Sequence, residues 1–260
     1  MKVSVITVCY NDRSGLEKTI KSVLSQRGVE LDYIIMDGGS TDGSKDLVDQ
    51  YRSSVAHAIS EKDQGVFDAM NKGLNRAIGE YVIFMNSGDY FLQEDSLAKL
   101  TRGAEHYPDF IYGDIYFEYK EGRRKHIKFP ERLRLSGLFN HFLPHQATLT
   151  KRQLLVDRGG YDLRYKFIAD SAFIWNAIVN DHSSYQHVDE IISVCEFGGL
   201  STDVNRNGDA MQQERLRFYQ EKFPMVYEDY LELYELRKFK KAHFVNERPT
   251  LLERIKNKLK

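Results

Sequence analysis

Residues 60–90 read SEKDQGVFDAMNKGLNRAIGEYVIFMNSGDY. EKDQG (61–65) is a polar, glycine-ended turn. From about Gly65 to Ile78 the apolar residues Phe67, Met70, Leu74 and Ile78 recur at helical spacing, which predicts an amphipathic helix. Gly79 stands where a left-handed helix stop is expected. The run YVIFMN (81–86) predicts a buried strand that ends at the turn SGDY. Turn, helix, strand and turn in succession form the repeating unit of an α/β protein.

The same unit recurs upstream. VSVITV (3–8) predicts a buried strand that ends in CYND. A helix follows, with Ser14 as its expected cap and Leu16, Ile20, Val23 and Leu24 on one face. LDYIIM (31–36) predicts a second strand, ending in DGGSTDGS (37–44). Leu47, Val48 and Tyr51 mark a second helix, and residues 55–60 a third strand. Strands alternating with helices predict a mostly parallel, Rossmann-like sheet with helices on both faces. The style changes after about residue 105. DFIYGDIYFEYK, EGRR and KHIKF (109–129) predict a β-hairpin, and Leu133 to Pro144 a loop or loose helix. A helix near Ser171–Val179, strands near 185–196 and charged helices from Asp209 complete the chain.

The bulk properties exclude several classes. A chain of 260 residues with 42% hydrophobic and 29% charged residues suits a globular protein with a sizeable core. Its formal net charge of -1 gives no field for nucleic acid. Cys9 and Cys195 supply neither a disulfide framework nor a four-ligand zinc site, which points to a reducing, cytoplasmic setting. No apolar run reaches the roughly 18 residues of a membrane span, and MKVSVITVCYND is interrupted too soon for a signal peptide. The charge is uneven, however. Residues 237–260 hold nine Lys/Arg against two Glu, and Leu251, Leu252, Ile255 and Leu259 fall on one helical side. Such a basic amphipathic helix suits an anionic membrane surface, or packing on a partner.

Ligands of open parallel sheets bind at the carboxyl ends of the strands. Four such ends here carry polar turns: CYND, MDGGSTD, EKDQG and NSGD. Neither a G-x-G-x-x-G fingerprint nor a G-x-x-x-x-G-K-[ST] loop is present, so a nucleotide is not held in either of those manners. Asp89 closes the fourth turn just after Gly88. A carboxylate so placed suits a hard divalent cation that also binds phosphate.

These blocks resemble the family 2 glycosyltransferases, which have the GT-A nucleotide-diphospho-sugar transferase fold. The resemblance rests on VSVITVCYN (3–11), DGGSTDGS (37–44), SEKDQGVFDAMNKGLNRAIGEY (60–81) and FMNSGDYF (84–91). Weaker matches follow at PHQATLTKR (144–152), GGYDLRYKFIADSAF (159–173) and FGGLST (197–202). The likeness is greatest to members that build bacterial envelope polysaccharides. It implies a donor-binding half at 1–105, an acceptor-binding half at 106–205 and a helical, basic extension at 206–260.

The resemblance also implies roles. Val8 and Tyr10 would line the nucleobase pocket and Asp37 would accept from the base, with Asp63, Asp68, Asn71, Asn86 and Ser87 around the ribose and donor sugar. The family's D-x-D metal motif stands here as Ser87-Gly88-Asp89, so Asp89 alone would hold Mn²⁺ or Mg²⁺. Asp170 of Ala169-Asp170 would be the catalytic base. A helix start also favours its ionised form. His145, Gln146 and Ser201 would face the acceptor or the leaving diphosphate. The implied reaction is inverting transfer from a nucleotide-diphosphate sugar, UDP first among them, to a glycan or polyprenyl-linked glycan acceptor. A homo-oligomer is compatible with this. Two other classes stay open. A sugar nucleotidylyltransferase would want a glycine-rich basic loop where CYNDRSG stands. A non-catalytic, donor- or glycan-binding subunit would fit the incomplete Ser-Gly-Asp motif.

Overall fold

A β-branched run without polar alternation asks for burial on both faces. In the computed structural model, which describes residues 1–135, 143–198 and 204–243, VSVITV lies in β1 (Lys2–Cys9), and every residue from Val3 to Cys9 is buried. β1 pairs in parallel with β2 (Glu30–Asp37) on one side and with β4 (Tyr81–Phe84) on the other. β3 (His57–Ser60) adds in parallel outside β2. The crossovers carry α1 (Arg13–Leu24), α2 (Ser44–Tyr51) and α3 (Val66–Leu74). All four polar turns therefore leave the sheet at one rim.

Beyond β4 the sheet becomes mixed. β8 (Thr148–Lys151) runs antiparallel to β4 and to β6 (Phe110–Glu118), while β9 (Tyr185–Glu196) runs parallel to β6. The expected hairpin is β6 with β7 (Arg124–Ile127), and β5 (Tyr90–Phe91) lies antiparallel on β9. The strand order is β3-β2-β1-β4-β8-β6-β9-β5, with β7 on β6. The parallel, Rossmann-like character thus belongs to the first four strands. The sheet continues from them without a break into the second half.

One buried carboxylate pins that second half. Asp114 of β6 accepts from His126 Nε2 of β7 (2.8 Å), His187 Nε2 of β9 (2.9 Å) and the Phe129 amide (2.9 Å). It sits at a register shift between β6 and β9, where regular pairing is interrupted.

Several local expectations change. Asp12, not Ser14, caps α1: its carboxylate accepts from the Gly15 amide at 3.1 Å. α3 ends at Leu74 rather than Ile78. Phe67, Met70 and Leu74 are buried, but Ile78 is 63% exposed. Gly79 is no left-handed stop, since it is absent from the positive-φ glycines. It is small because a Cβ there would meet the Ser4 amide nitrogen at 2.5 Å. Its own N–H donates to Ser4 Oγ (2.8 Å), which donates in turn to buried Asp32 (2.5 Å). The short elements α4 (Ser96–Arg102), α5 (Arg152–Asp157), β5 and β8 were not foreseen. The expected helix near 171–179 is α6 (Ala169–Val179).

The chain divides into two compact units, Met1–Arg215 and Leu216–Lys260. The first holds the whole sheet and the start of α7 (Val204–Lys222). In the second, Phe218, Tyr219 and Phe223 pack ring against ring before α8 (Pro224–His243). No described helix is long and apolar enough to cross a membrane. Ser201 and the amphipathic pattern at 246–260 lie outside the described residues.

Candidate active site

The turns at the rim are laced together by hydrogen bonds. The Asn11 amide donates to Ser40 Oγ (2.7 Å), and Asn11 Oδ1 accepts from the Thr41 amide (2.8 Å). The Arg13 amide donates to Asp42 (2.9 Å). At the end of β2, Asp37 is 1% exposed and its Oδ2 accepts from the Ser40 amide (3.1 Å) and Ser60 Oγ (2.6 Å). Its Oδ1 is buried with no partner among the described residues. A buried acceptor without a donor costs about 1–3 kcal/mol, so this atom is ready to receive one.

A cavity of about 740 Å³ opens at this rim, lined by Val8, Tyr10, Gly38, Asp63, Asn86 and Ser87 among others. Five residues singled out from the sequence thus share one space. Val8 is buried, whereas the Tyr10 side chain stands 66% exposed. Asp63 holds the turn before α3 by accepting from the Gly65 amide at 2.9 Å. Three expected members are not part of its lining: Asp37 (buried next to the lining residue Gly38), Asp68 and Asn71. Asp68 accepts from the Gln64 amide (2.9 Å) and pairs with Lys72 (3.3 Å), and it does not line the cavity. Asn71 clamps Tyr161: its Nδ2 donates to the Tyr161 carbonyl (2.8 Å) and its Oδ1 accepts from the Tyr161 amide (2.7 Å). Each of its polar atoms makes one bond to the GGYD segment, which makes Asn71 a structural clamp between α3 and that segment.

Ser87, Gly88 and Asp89 follow on the same rim. Gly88 has φ 92, the left-handed region that favours glycine. A Cβ there would lie 3.0 Å from Glu196 Oε2 and 3.8 Å from Asp12 Oδ2. Ser87 Oγ donates to Asp12 Oδ2 at 2.9 Å. Asp89 is buried; its Oδ2 accepts from Gln146 Nε2 (2.9 Å) and its Oδ1 from the Glu196 amide (3.1 Å). Burial pushes its carboxyl up to about 6, against the pull of the Gln146 bond and of His145. Among the described residues no three His, Cys, Asp or Glu side chains converge into a ready metal cage. Each Asp89 oxygen nevertheless keeps a second lone pair. Mg²⁺ normally takes only one or two protein carboxylates and completes its shell with water and phosphate. The oxygen donors around Gly88 therefore fit a hard cation held mainly by its nucleotide.

A second cavity, of about 650 Å³, shares Val66, Asn86 and Ser87 with the first and reaches Asp89, His145 and Asp170. Asp170 stands in the first turn of α6, and His145 begins a short 3₁₀ turn, His145–Ala147. His145 Nδ1 and Asp170 Oδ2 are 2.8 Å apart, and each side chain is 14% exposed. Burial alone would raise the Asp170 carboxyl. The hydrogen bond and charge of His145, with the Ser171 bonds, outweigh it and hold the group below the usual carboxylate range. An ionised carboxylate only accepts, so Nδ1 of His145 carries a proton, and whenever the ring is neutral the lone pair is on Nε2. Asn86 Nδ2 faces that lone pair at 3.2 Å, while Asn86 Oδ1 is buried with no partner among the described residues. Asp170 and His145 thus form a carboxylate–imidazole pair whose second nitrogen meets Asn86, a residue that lines both cavities.

Sequence reasoning had not singled out Asp12 or Glu196 beside Gly88. Asp12 belongs to the CYND turn and was legible only as part of it. Glu196 has no local motif. The pairing of Tyr90 with Val194 brings it in from β9.

Comparison with known proteins shows the family and the fold. The model of "Glycosyl transferase family 2" matches residues 4–159. The chain belongs to glycosyl transferase family 2. A PGL/p-HBAD biosynthesis glycosyltransferase of Mycobacterium bovis is 31% identical over 208 residues, covering 77% of this chain and 79% of that protein. The putative teichuronic acid biosynthesis glycosyltransferase TuaG of Bacillus subtilis is 42% identical over 100 residues, 37% of this chain and 39% of the relative. Among solved structures, S. aureus TarS 1-349 in complex with UDP superposes with a TM-score of 0.64 at 18% identity, over 98% of this chain and 77% of that one. The Pyrobaculum calidifontis mannosyltransferase PcManGT, in complex with GDP-Man and Mn²⁺, gives 0.62 at 18% identity, over 84% and 63%. The fold of this family 2 enzyme is accordingly GT-A.

Proposed function

We propose that this glycosyltransferase moves a sugar, with inversion, from a nucleotide-diphosphate donor to an acceptor hydroxyl in cell-envelope glycan synthesis. The observation that carries the reading is the meeting of two cavities at Asn86 and Ser87, with the His145–Asp170 pair on one side only. The cavity at Val8 and Tyr10 takes the donor. The base lies near Val8 and Tyr10, and Asp37 Oδ1 accepts its N–H, which favours uracil. Asp63 faces the ribose. TarS with UDP and PcManGT with GDP-Man support a donor of this class. The names of the mycobacterial and Bacillus relatives support an envelope glycan as product. Two buried free cysteines suit a reducing cytoplasm.

In the reaction the acceptor hydroxyl attacks the anomeric carbon and its proton passes to His145 Nε2. Asp170 orients the ring and stabilises the imidazolium that forms. The C–O bond to the diphosphate breaks as the new one forms, and a single displacement inverts the carbon. Asp89, with water and the diphosphate, would hold Mn²⁺ or Mg²⁺, which supplies charge neutralisation on the leaving group. Asn86, whose amide must give way at His145 Nε2 to the acceptor hydroxyl, stands where acceptor and donor cavities meet. Acceptor entry from the membrane side is supported by the basic amphipathic pattern of residues 246–260. Co-sedimentation with anionic liposomes should be lost when that stretch is removed.

A screen of UDP-, GDP- and dTDP-sugars with Mn²⁺ or Mg²⁺, read by thermal shift and nucleotide release, tests the function. Nucleotide release from one donor class is expected. Donor binding without release or transfer across all donors would instead make the chain a binding subunit.

A further inference from the structure

Two asparagines of the first unit hold their carboxamides in opposite ways. Asn71 is satisfied at both ends, by bonds of 2.8 and 2.7 Å to Tyr161. Asn86 is not. Its Nδ2 meets His145 Nε2 at 3.2 Å, and its buried Oδ1 has no partner among the described residues. The backbone there is fixed, by contrast. The Asn86 carbonyl accepts from the Asp89 amide (3.1 Å) and from Thr19 Oγ1 (3.3 Å). The neighbouring amides of Met85 and Ser87 donate to the carbonyls of Ile6 (2.9 Å) and Val8 (3.0 Å). A side chain kept for structure alone would pair both ends, as Asn71 does, because an orphaned buried acceptor is unfavourable. The Asn86 carboxamide is instead a group on a rigid base, tied by one long bond to one nitrogen.

That nitrogen is the one that receives the acceptor proton. His145 and Asp170 are each 14% exposed, so the pair is partly open to water. A bare Nε2 lone pair would activate water as well as a sugar hydroxyl, and hydrolysis would consume the donor. Resting on the glycosyltransferase reading above, we propose that Asn86 is the residue by which the site refuses water as its acceptor. Its amide caps Nε2 until an acceptor displaces it. Water offers one hydrogen bond in exchange for the one it would replace. An acceptor held along the rest of the cavity brings many contacts at once, and one of its hydroxyls can donate to Oδ1.

Two substitutions separate this role from packing, because they act in opposite directions. Asn86→Ala removes the cap and opens the lone pair. Asn86→Asp keeps the shape but has no amide hydrogen, so its carboxylate draws a second proton onto the ring and closes the lone pair. The first readout needs no donor. It is the rate at which diethyl pyrocarbonate, which reacts with unprotonated imidazole nitrogen, labels His145 near neutral pH. Peptide mass spectrometry resolves His145 among the eight histidines. Labelling should rise at least about five-fold in Asn86→Ala, the worth of one hydrogen bond, and fall in Asn86→Asp. The second readout is nucleotide release into water from UDP-glucose, GDP-mannose or dTDP-glucose with Mn²⁺, each saturating and without acceptor. Release from at least one donor should rise about five-fold or more in Asn86→Ala and fall in Asn86→Asp. Circular dichroism confirms the fold of both variants. Labelling unmoved by Asn86→Ala, both variants shifting the same way, or release no faster in Asn86→Ala than in the native chain would overturn the proposal. Thermal shift of the native chain with UDP, GDP and dTDP reports separately on the glycosyltransferase reading.

Discussion

Replacing Asp170 by Asn changes two atoms' chemistry and almost no volume. In the native site Oδ1 accepts from the Ser171 amide at 2.8 Å, and Oδ2 faces His145 Nδ1 at 2.8 Å. The Asn carbonyl takes over the first contact, which leaves the amide NH₂ aimed at Nδ1. Two donors cannot face each other, so His145 moves its proton to Nε2. The lone pair that should receive the acceptor proton is then gone. Its Nε2–H also meets Asn86 Nδ2, 3.2 Å away. General-base assistance contributes about 10²–10⁴-fold, or about 2.7–5.5 kcal/mol. Asn removes both the base and the carboxylate that stabilises it, so kcat should fall toward the upper end. The donor cavity does not include Asp170, so nucleotide affinity by calorimetry should stay within about two-fold. Stability gives an independent check. A carboxyl held below its usual range stabilises the fold above the unfolded pKa and loses that contribution as pH falls through the folded one. The Asn variant should therefore melt lower than the native chain near neutrality, with the gap closing on acidification. Turnover within ten-fold of native would refute the pair, whatever the melting data show.

Other outcomes follow from the same geometry. Asp89 is raised from 3.8 to about 6 by burial, so its ionisation costs stability as pH climbs through 6. Asp89→Asn should raise the unfolding free energy in urea at pH 8, by at most about 3 kcal/mol, with no gain at pH 4. The same variant should bind a metal–nucleotide complex more weakly. Asn71→Ala should cost about 2–4 kcal/mol in urea unfolding, because Tyr161 loses both backbone partners, while leaving nucleotide affinity unchanged. A selective loss of nucleotide affinity would return Asn71 to the donor site. Asp37→Asn places a donor on one of its two oxygens and should weaken UDP binding about ten-fold or more by calorimetry. Unchanged affinity would remove Asp37 from base recognition.

The parallel half of the fold was legible because its signals are local. β1, β2 and β4 are apolar runs, and each ends at a glycine- or asparagine-bearing turn that the next helix needs. The boundaries failed where a longer-range contact decides. Gly79 is small because Ser4 crosses it, and Ile78 falls outside α3 because its amide donates to Asp32. The second half was harder. β8 has four residues and α5 six, too few for a period to register.

The site divides in the same way. Val8, Tyr10, Asp63, Asn86 and Ser87 come from strand ends and converge as the parallel register dictates. Asp170 and His145 were singled out separately, by resemblance. Their pairing depends on packing between α6 and the segment before β8, which no spacing encodes. Glu196 depends on the β5–β9 pairing and was invisible.

The most direct test is a crystal structure of the chain with UDP and Mn²⁺. We expect the uracil in the 740 Å³ cavity, between Val8 and Tyr10 and within hydrogen-bond reach of Asp37. The diphosphate should run toward Asn86 and Asp89, stopping short of the His145–Asp170 pair. A nucleotide bound in the cavity that holds that pair, or away from both, would contradict the division of the site into donor and acceptor chambers.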